Sequence, residues 1–145
     1  MARYWIAVAS REHVKKAEVG GFAQVCHGKG GPLKQMAEDD WLVYYSPTLT
    51  FGQKDACRHF TALGKITAEQ PYTFAMSPDF IPWRRNVSYV TCKEIAIEPL
   101  LDKLSFISNK QKWGFPFRRG LFEINKEDFA LIAQEMGTNF EKQKN

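Results

Sequence analysis

The chain has 145 residues, enough for one domain with a single core, and is 44% apolar, 25% charged and 14% aromatic. A net charge of +4 and three cysteines, Cys26, Cys57 and Cys92, describe a mildly basic protein of a reducing compartment and exclude a disulfide scaffold. No apolar run has the length of a membrane span, and the first strand carries Arg3 and is too short and polar for a signal peptide, so the chain is expected in the cytoplasm or nucleus, away from membranes.

"RYWIAVAS" predicts a strand over residues 3–9 that ends at Ser10. Ser10 is a good N-cap for the helix "REHVKKAEV", which Gly20 and Gly21 stop. "FAQVCH" follows as a short strand, "GKGG" as a loop, and Pro32 opens a short helix over "PLKQM". "DDWLVYYS", residues 39–46, predicts a buried strand, and residues 47–58 a long irregular loop. "HFTALGKITAEQ" alternates at Phe60 and Ala62 as a strand does, "PYTF" continues it after a bend, and residues 75–82 form a Pro-containing loop. "WRRNVSYVTCKEIAI" is expected as one long strand, "EPLLDKLSFI" as a short helix, "SNKQKWGFPFRRG" as loop or turn, and "LFEI" as the last strand.

The final helix gives the clearest signal. Asn125 caps it, Asp128 sits at the third position, Phe129, Ile132, Ala133 and Met136 repeat at helical spacing, and Gly137 closes it. These elements predict one domain over residues 1–137 and a polar tail over 138–145. Short strands and short helices, without long crossover helices, predict an α+β fold: a small mixed β-barrel or curved sheet flanked by helices. No feature asks for an oligomer, and a monomer is the expectation.

Several groups could carry chemistry. "HGKGGPLKQM" puts glycines and Lys29 before a helix, where backbone N–H groups and a cation can meet a phosphate. The spacing is neither that of a P-loop nor that of a dinucleotide fold, and a turn with positive φ explains the glycines equally well. Cys26–His27 and Cys57-x-His59 supply metal-ligand types, but neighbours on a strand point apart and two ligands make no site, so no metal and no cofactor is expected. No carboxylate pair or nucleophile turn marks an enzyme. The alternative to a binding module is a small-molecule enzyme or sensor for a free nucleobase or other planar metabolite, with Cys57, His59 or His27 as reacting groups.

"FIPWRR" and "KWGFPFRR" share a form: aromatics broken by Pro, then two arginines. Modules that stack bases use flat side chains for the π face and Arg or Lys for phosphate. Arg84, Arg85, Arg118 and Arg119, with Lys29, are therefore candidate phosphate contacts. Strand alternation puts Arg84 and Arg85 on opposite faces, so only one of them would reach a nucleic-acid backbone. Trp5, Trp41, Trp83 and Trp113 individually suit a core, yet at least one of the four is expected in a pocket.

"YWIAVASREHV", "GGFAQVCHGKGGPLKQM", "DDWLVYYSP", "FTALGKI", "FIPWRRNVSY", "LSFISNKQKWG" and "RRGLFEI" followed by "DFALIAQEM" resemble the EVE-domain family, in that family's order, over residues 3–136. The resemblance implies a PUA-like fold and kinship with YTH domains, which hold a methylated base in an aromatic cage. It implies a nucleic-acid partner, DNA or RNA, and a reader of one flipped or unpaired modified base. The Ser10–Arg11 turn resembles the place where related domains meet the base edge. "GGFAQV" resembles one cage wall, and where relatives commonly carry Trp this chain has Phe22, Ala23 and Gln24. "SPDFIPWRR" resembles the second wall, with Phe80 and Trp83 as candidates.

Overall fold

The computed structural model describes residues 2–140. Its strands are β1 (Tyr4–Val8), β2 (Phe22–Ala23), β3 (Trp41–Thr48), β4 (Ala56–Ile66), β5 (Tyr72–Thr73), β6 (Trp83–Tyr89), β7 (Ile95–Ala96) and β8 (Leu121–Ile124). Its α-helices are α1 (Arg11–Gly20), α2 (Gly30–Lys34) and α3 (Lys126–Glu135), with single 3₁₀ turns at Cys26–Gly28, Glu98–Leu100, Lys110–Lys112 and Phe115–Arg119. The main sheet runs β2-β6-β4-β3-β1-β8, with β5 added to β6 and β7 to β4. The pair β1–β3 is parallel and the other pairings are antiparallel, so the sheet is mixed. Register shifts between Tyr44 and Tyr45 and between Ser46 and Thr48 bend the long β3–β4 ladder, as bulges do, and help curl the sheet into a half-barrel.

Period-two alternation divides the apolar side chains between two cores, one on each face. Tyr4, Ile6, Trp41, Val43 and Tyr45 point to α3 and the 3₁₀ segments, where Phe129, Ile132, Phe117 and Leu104 receive them. Trp5, Ala7, Leu42 and Tyr44 point the other way, to Val14 of α1 and Leu33 of α2. Asp40, 1% exposed, starts β3 on its polar side. It accepts from the backbone N–H groups of Arg3 and Ala37 and from Trp5 Nε1, at 2.9–3.0 Å.

Ser10 and Asn125 cap α1 and α3 as their sequences predict, and Gly21 ends α1 in the left-handed conformation. Several expectations change, among them the helix over "EPLLDKLSFI", of which only the 3₁₀ turn Glu98–Leu100 forms, and "PYTF", whose Tyr72–Thr73 pairs with β6 as a separate strand instead of continuing β4. The strand expected through "WRRNVSYVTCKEIAI" stops at Tyr89 and resumes only at Ile95, because Lys93 N–H leaves the sheet for Met136 O beside α3. "FAQVCH" is a strand for two residues and then turns, with Cys26 at φ 50° and His27 at φ 60°. The loop expected over residues 47–58 is shorter, since β3 runs to Thr48 and β4 starts at Ala56. The tail expected from residue 138 begins packed: Phe140 is 3% exposed and its ring meets Tyr4, Trp41 and Phe129 at 5.1–5.8 Å. Residues 141–145 of that tail lie outside the described residues.

Candidate nucleic-acid interface

Strand β6 divides the candidate site. Its alternation sends Trp83, Arg85 and Val87 to the α2 side and Arg84 to the other. Arg85 is 3% exposed, and its guanidinium donates through Nη1 to Leu33 O at 3.3 Å and Met36 O at 2.8 Å, satisfying carbonyls at and just beyond the end of α2. Its Nε is buried without a partner among the described residues. Trp83 lies under Gly30, where a Cβ would come within 2.8 Å of the indole, and Lys34 Nζ stands 4.9 Å from its ring centre.

On the opposite side, the Arg84 guanidinium carbon lies over two rings, 3.8 Å from the Phe22 centroid and 4.0 Å from that of Phe74. Its Nε donates to Gln24 Oε1 at 3.2 Å. Gln24 is fixed in turn through its backbone. Its N–H donates to Tyr44 Oη, the Tyr44 hydroxyl donates to its carbonyl, and His13 Nε2 lies 3.2 Å from that carbonyl. Ser10 Oγ accepts from His13 N–H at 3.3 Å. The structure thus groups Ser10, Phe22 and Gln24, and adds His13, Phe74 and Arg84 to them.

The glycine loop lies beside this group. A Cβ on Gly28 would come within 2.6 Å of Pro82 and 3.4 Å of the Phe80 ring, and Gly28 has φ 85°, so glycine serves both close approach and a left-handed turn. Residues 74–82 form a hairpin arm in which Phe74 N–H donates to Pro82 O and Met76 N–H to Phe80 O. Phe74, Met76, Phe80 and Ile81 are all exposed along it. On the loop's other side, His27 meets Phe51 edge-on at 6.2 Å and Cys26 Sγ donates to Arg119 O at 3.6 Å.

Three sequence expectations are corrected by this geometry. Arg84 and Arg85 are both buried, one over rings and one on α2, so neither stands on the surface as a phosphate contact. Phe22 and Trp83 lie on opposite sides of β6 and do not form two walls of one slot; the ring that shares Arg84 with Phe22 is Phe74. Arg11 is committed to Glu94 by a two-pronged ion pair at 2.7 and 2.8 Å, with Lys15 joining at 3.2 Å. Lys29, Arg118 and Arg119 are exposed and, among the described residues, pair with no carboxylate. The Arg118 and Arg119 guanidinium groups lie over the rings of Phe115 and Phe122. Of the four tryptophans, Trp5 and Trp41 are core, while Trp113 lines a cavity. Sequence reasoning missed Phe74 and His13. Recognising "PYTF" and "FIPW" as two arms of one hairpin would have exposed Phe74, whereas a lone His in a first helical turn carries no such signal.

Burial pushes the His13 imidazole below its ordinary value, opposed by its contact with Gln24 O and reinforced by the charges of Arg84 and Lys16. The ring is therefore neutral at pH 7, with Nε2–H facing the carbonyl. Because the folded value lies below the ordinary 6.5, the unfolded chain takes up the proton first as pH falls. The stability this residue contributes is complete above about 6.5 and is lost as pH drops through the folded value. Urea melts at pH 7.5 and 5.5 should show a loss for the wild type that His13→Gln reduces; an identical loss in both proteins would remove His13 from the account.

The residues of the reactive alternative do not converge. His59 Nδ1 contacts the Cys57 carbonyl, His27 sits against Phe51, and burial raises the pKa of all three thiols. Among the described residues no cluster of three His, Cys, Asp or Glu side chains is placed to hold a metal, and no helix is long and apolar enough to cross a membrane.

The EVE domain family matches residues 3–135. "UPF0310 protein YdcG" of Bacillus subtilis is 48% identical over 136 residues, covering 94% of this chain and 93% of the relative. "UPF0310 protein msl3206" of Mesorhizobium japonicum is 48% identical over 139 residues, covering 94% and 93%. Among solved structures, a hypothetical protein from Leishmania major superposes with a TM-score of 0.59 at 11% identity, covering 99% of this chain and 98% of its own. Human THYN1, solved in complex with 5-methylcytosine-containing DNA, superposes with a TM-score of 0.52 at 13% identity, covering 95% and 99%.

Proposed function

The chain belongs to the EVE domain family and has the α+β, PUA-like half-barrel its sequence predicts, and from that premise we propose that it is a non-enzymatic module that takes one flipped or unpaired base, modified by a methyl or similar group, from DNA or RNA. The observation that carries this reading is the Arg84 guanidinium over the Phe22 and Phe74 rings, with its Nε donating to Gln24 Oε1. A guanidinium fixed over rings is a preorganised set of donors, and base edges offer the matching acceptors. The exposed rings of Phe74 and Phe80 beside it supply π faces. Ser10 and Gln24, linked through His13, are the groups this reading assigns to the base edge. Lys29, Arg118 and Arg119 supply positive charge for the adjoining backbone. The partner of human THYN1 in its complex, DNA containing 5-methylcytosine, agrees with this reading.

Base-pair readout in a groove has no vehicle here, since no long basic helix is present among the described residues. A base must leave its stack, at a cost of a few kcal/mol in a duplex and less in single strands. One buried methyl contributes about 0.8 kcal/mol, which is only a several-fold preference. Titration with matched oligonucleotides differing by one modified base should therefore show a several-fold gain for the modified member and tighter binding to single strands than to duplex. Equal affinity for every pair, with tight binding to fully paired unmodified duplex, would rule the mechanism out.

A further inference from the structure

We propose that the cavity at Trp113 is a second stacking subsite, which takes the unpaired base next to the captured one; this rests on the nucleic-acid reading above. The cavity has a volume of about 250 Å³, and Ile107, Asn109, Lys112, Trp113, Phe115 and Pro116 line it. That is below the usual range for drug-sized ligands, roughly 300–1,000 Å³, and suits a single flat heterocycle. Its floor is fixed. Trp113 meets Phe117 and Tyr45 edge-on at 6.4 Å, and Phe117 stacks on Tyr45 at 4.2 Å. Its rim is braced, because Asn109 Oδ1 accepts from the N–H groups of Gln111 and Lys112. Phe115 is 62% exposed, with no place in either core.

The charge around the cavity selects the occupant. Lys112 is exposed on its lining, Arg118 lies over Phe115 at 5.4 Å, and neither meets a carboxylate among the described residues. An apolar slot edged by unpaired cations fits a base that carries its phosphate with it. The subsite also adjoins the first one. Arg119 O accepts from Cys26 Sγ, and Gly28 of the same turn lies against Pro82 and Phe80, so the segment that carries Trp113 reaches the base site at its Arg119 end. A strand with one base at the hairpin arm passes over Arg119 to reach Trp113.

The test compares a modified mononucleoside with a single-stranded trinucleotide that carries the same base beside 2-aminopurine. Phe115→Ala and Trp113→Leu should each weaken the trinucleotide roughly tenfold, within the range for loss of one stacked base, and leave the mononucleoside unchanged. The 2-aminopurine emission should be quenched by the wild type and recover in both variants. Phe115→Ala keeps the test valid if Trp113→Leu is poorly folded, since Phe115 lies outside the core. Trinucleotide affinity and quenching unchanged in Phe115→Ala would overturn the subsite and leave base capture standing. A wild type that binds neither probe would overturn both. A wild type that binds the mononucleoside with no gain for the trinucleotide would overturn the subsite alone.

Discussion

Replacing Arg85 with alanine should lower folding stability by about 2–6 kcal/mol, because it strips the partner from two carbonyls, each worth about 1–3 kcal/mol when left unsatisfied in the interior. The carbonyls are those of Leu33 and Met36, at and just beyond the end of α2. Both residues belong to the α1–α2 core, so water reaches the freed oxygens poorly. Lysine should restore only part of the loss, since its ammonium lacks the planar fork that meets both acceptors at once. Burial already lowers the guanidinium's pKa, with the charge of Asp40 acting against it, so the site is costly to keep and more costly to break. Chemical denaturation monitored by near-UV circular dichroism measures the change. A loss below about 1 kcal/mol would mean that α2 closes without Arg85.

The two arginine doublets show how far the sequence could be read. "FIPWRR" and "KWGFPFRR" share a pattern of aromatics broken by Pro before two arginines, and the structure buries one doublet and exposes the other. Arg84 and Arg85 lie within β6, where alternation sends one to each face. An arginine on a one-sided sheet would reach water, but both faces are covered here: α2 on one, and Phe22 and Phe74 on the other. Arg118 and Arg119 lie in a 3₁₀ turn and are exposed. Alternation is legible in the chain; the covering of both faces is not, because it depends on pairings far apart in sequence. The hairpin arm that carries Phe74 is a local pairing, but its prolines and short strands make it read, in sequence, as a bend and a loop. Elements set by local chemistry, such as β1, the Ser10 cap and α3 with its Asn125 cap, are legible because their signals lie within a few residues of each other. Phe140 has no such signal: one aromatic in a polar stretch reads as tail, and only the groove beside Tyr4 and Trp41 makes it core. The candidate site divides along the same line. Ser10, Phe22 and Gln24 come together with Phe80 on the hairpin arm beside them, while Trp83 is set apart on the other side of β6.

The double substitution Arg118→Ala with Arg119→Ala should do the reverse of Arg85→Ala. Exposed side chains away from caps and cores change stability by about 0.5 kcal/mol or less, so the melt should be nearly that of the wild type. Binding should change instead. Each guanidinium lies over a ring, Phe115 at 5.4 Å and Phe122 at 5.5 Å, which holds its plane while leaving N–H groups for phosphate oxygens. If each meets one phosphate, the slope of log affinity against log salt should lose about 1.4 in magnitude for single strands and about 1.8 for duplex. The loss in affinity should be alike for every sequence and for modified and unmodified bases, because a phosphate contact carries no base information. Lys29→Ala should remove about half as much slope, as a single contact at the glycine loop. Fluorescence anisotropy at 50, 100, 200 and 300 mM salt resolves changes of this size. A slope equal to the wild type's would place the nucleic-acid backbone elsewhere on the molecule. A loss confined to modified oligonucleotides would mean that these arginines touch the base and not its phosphate.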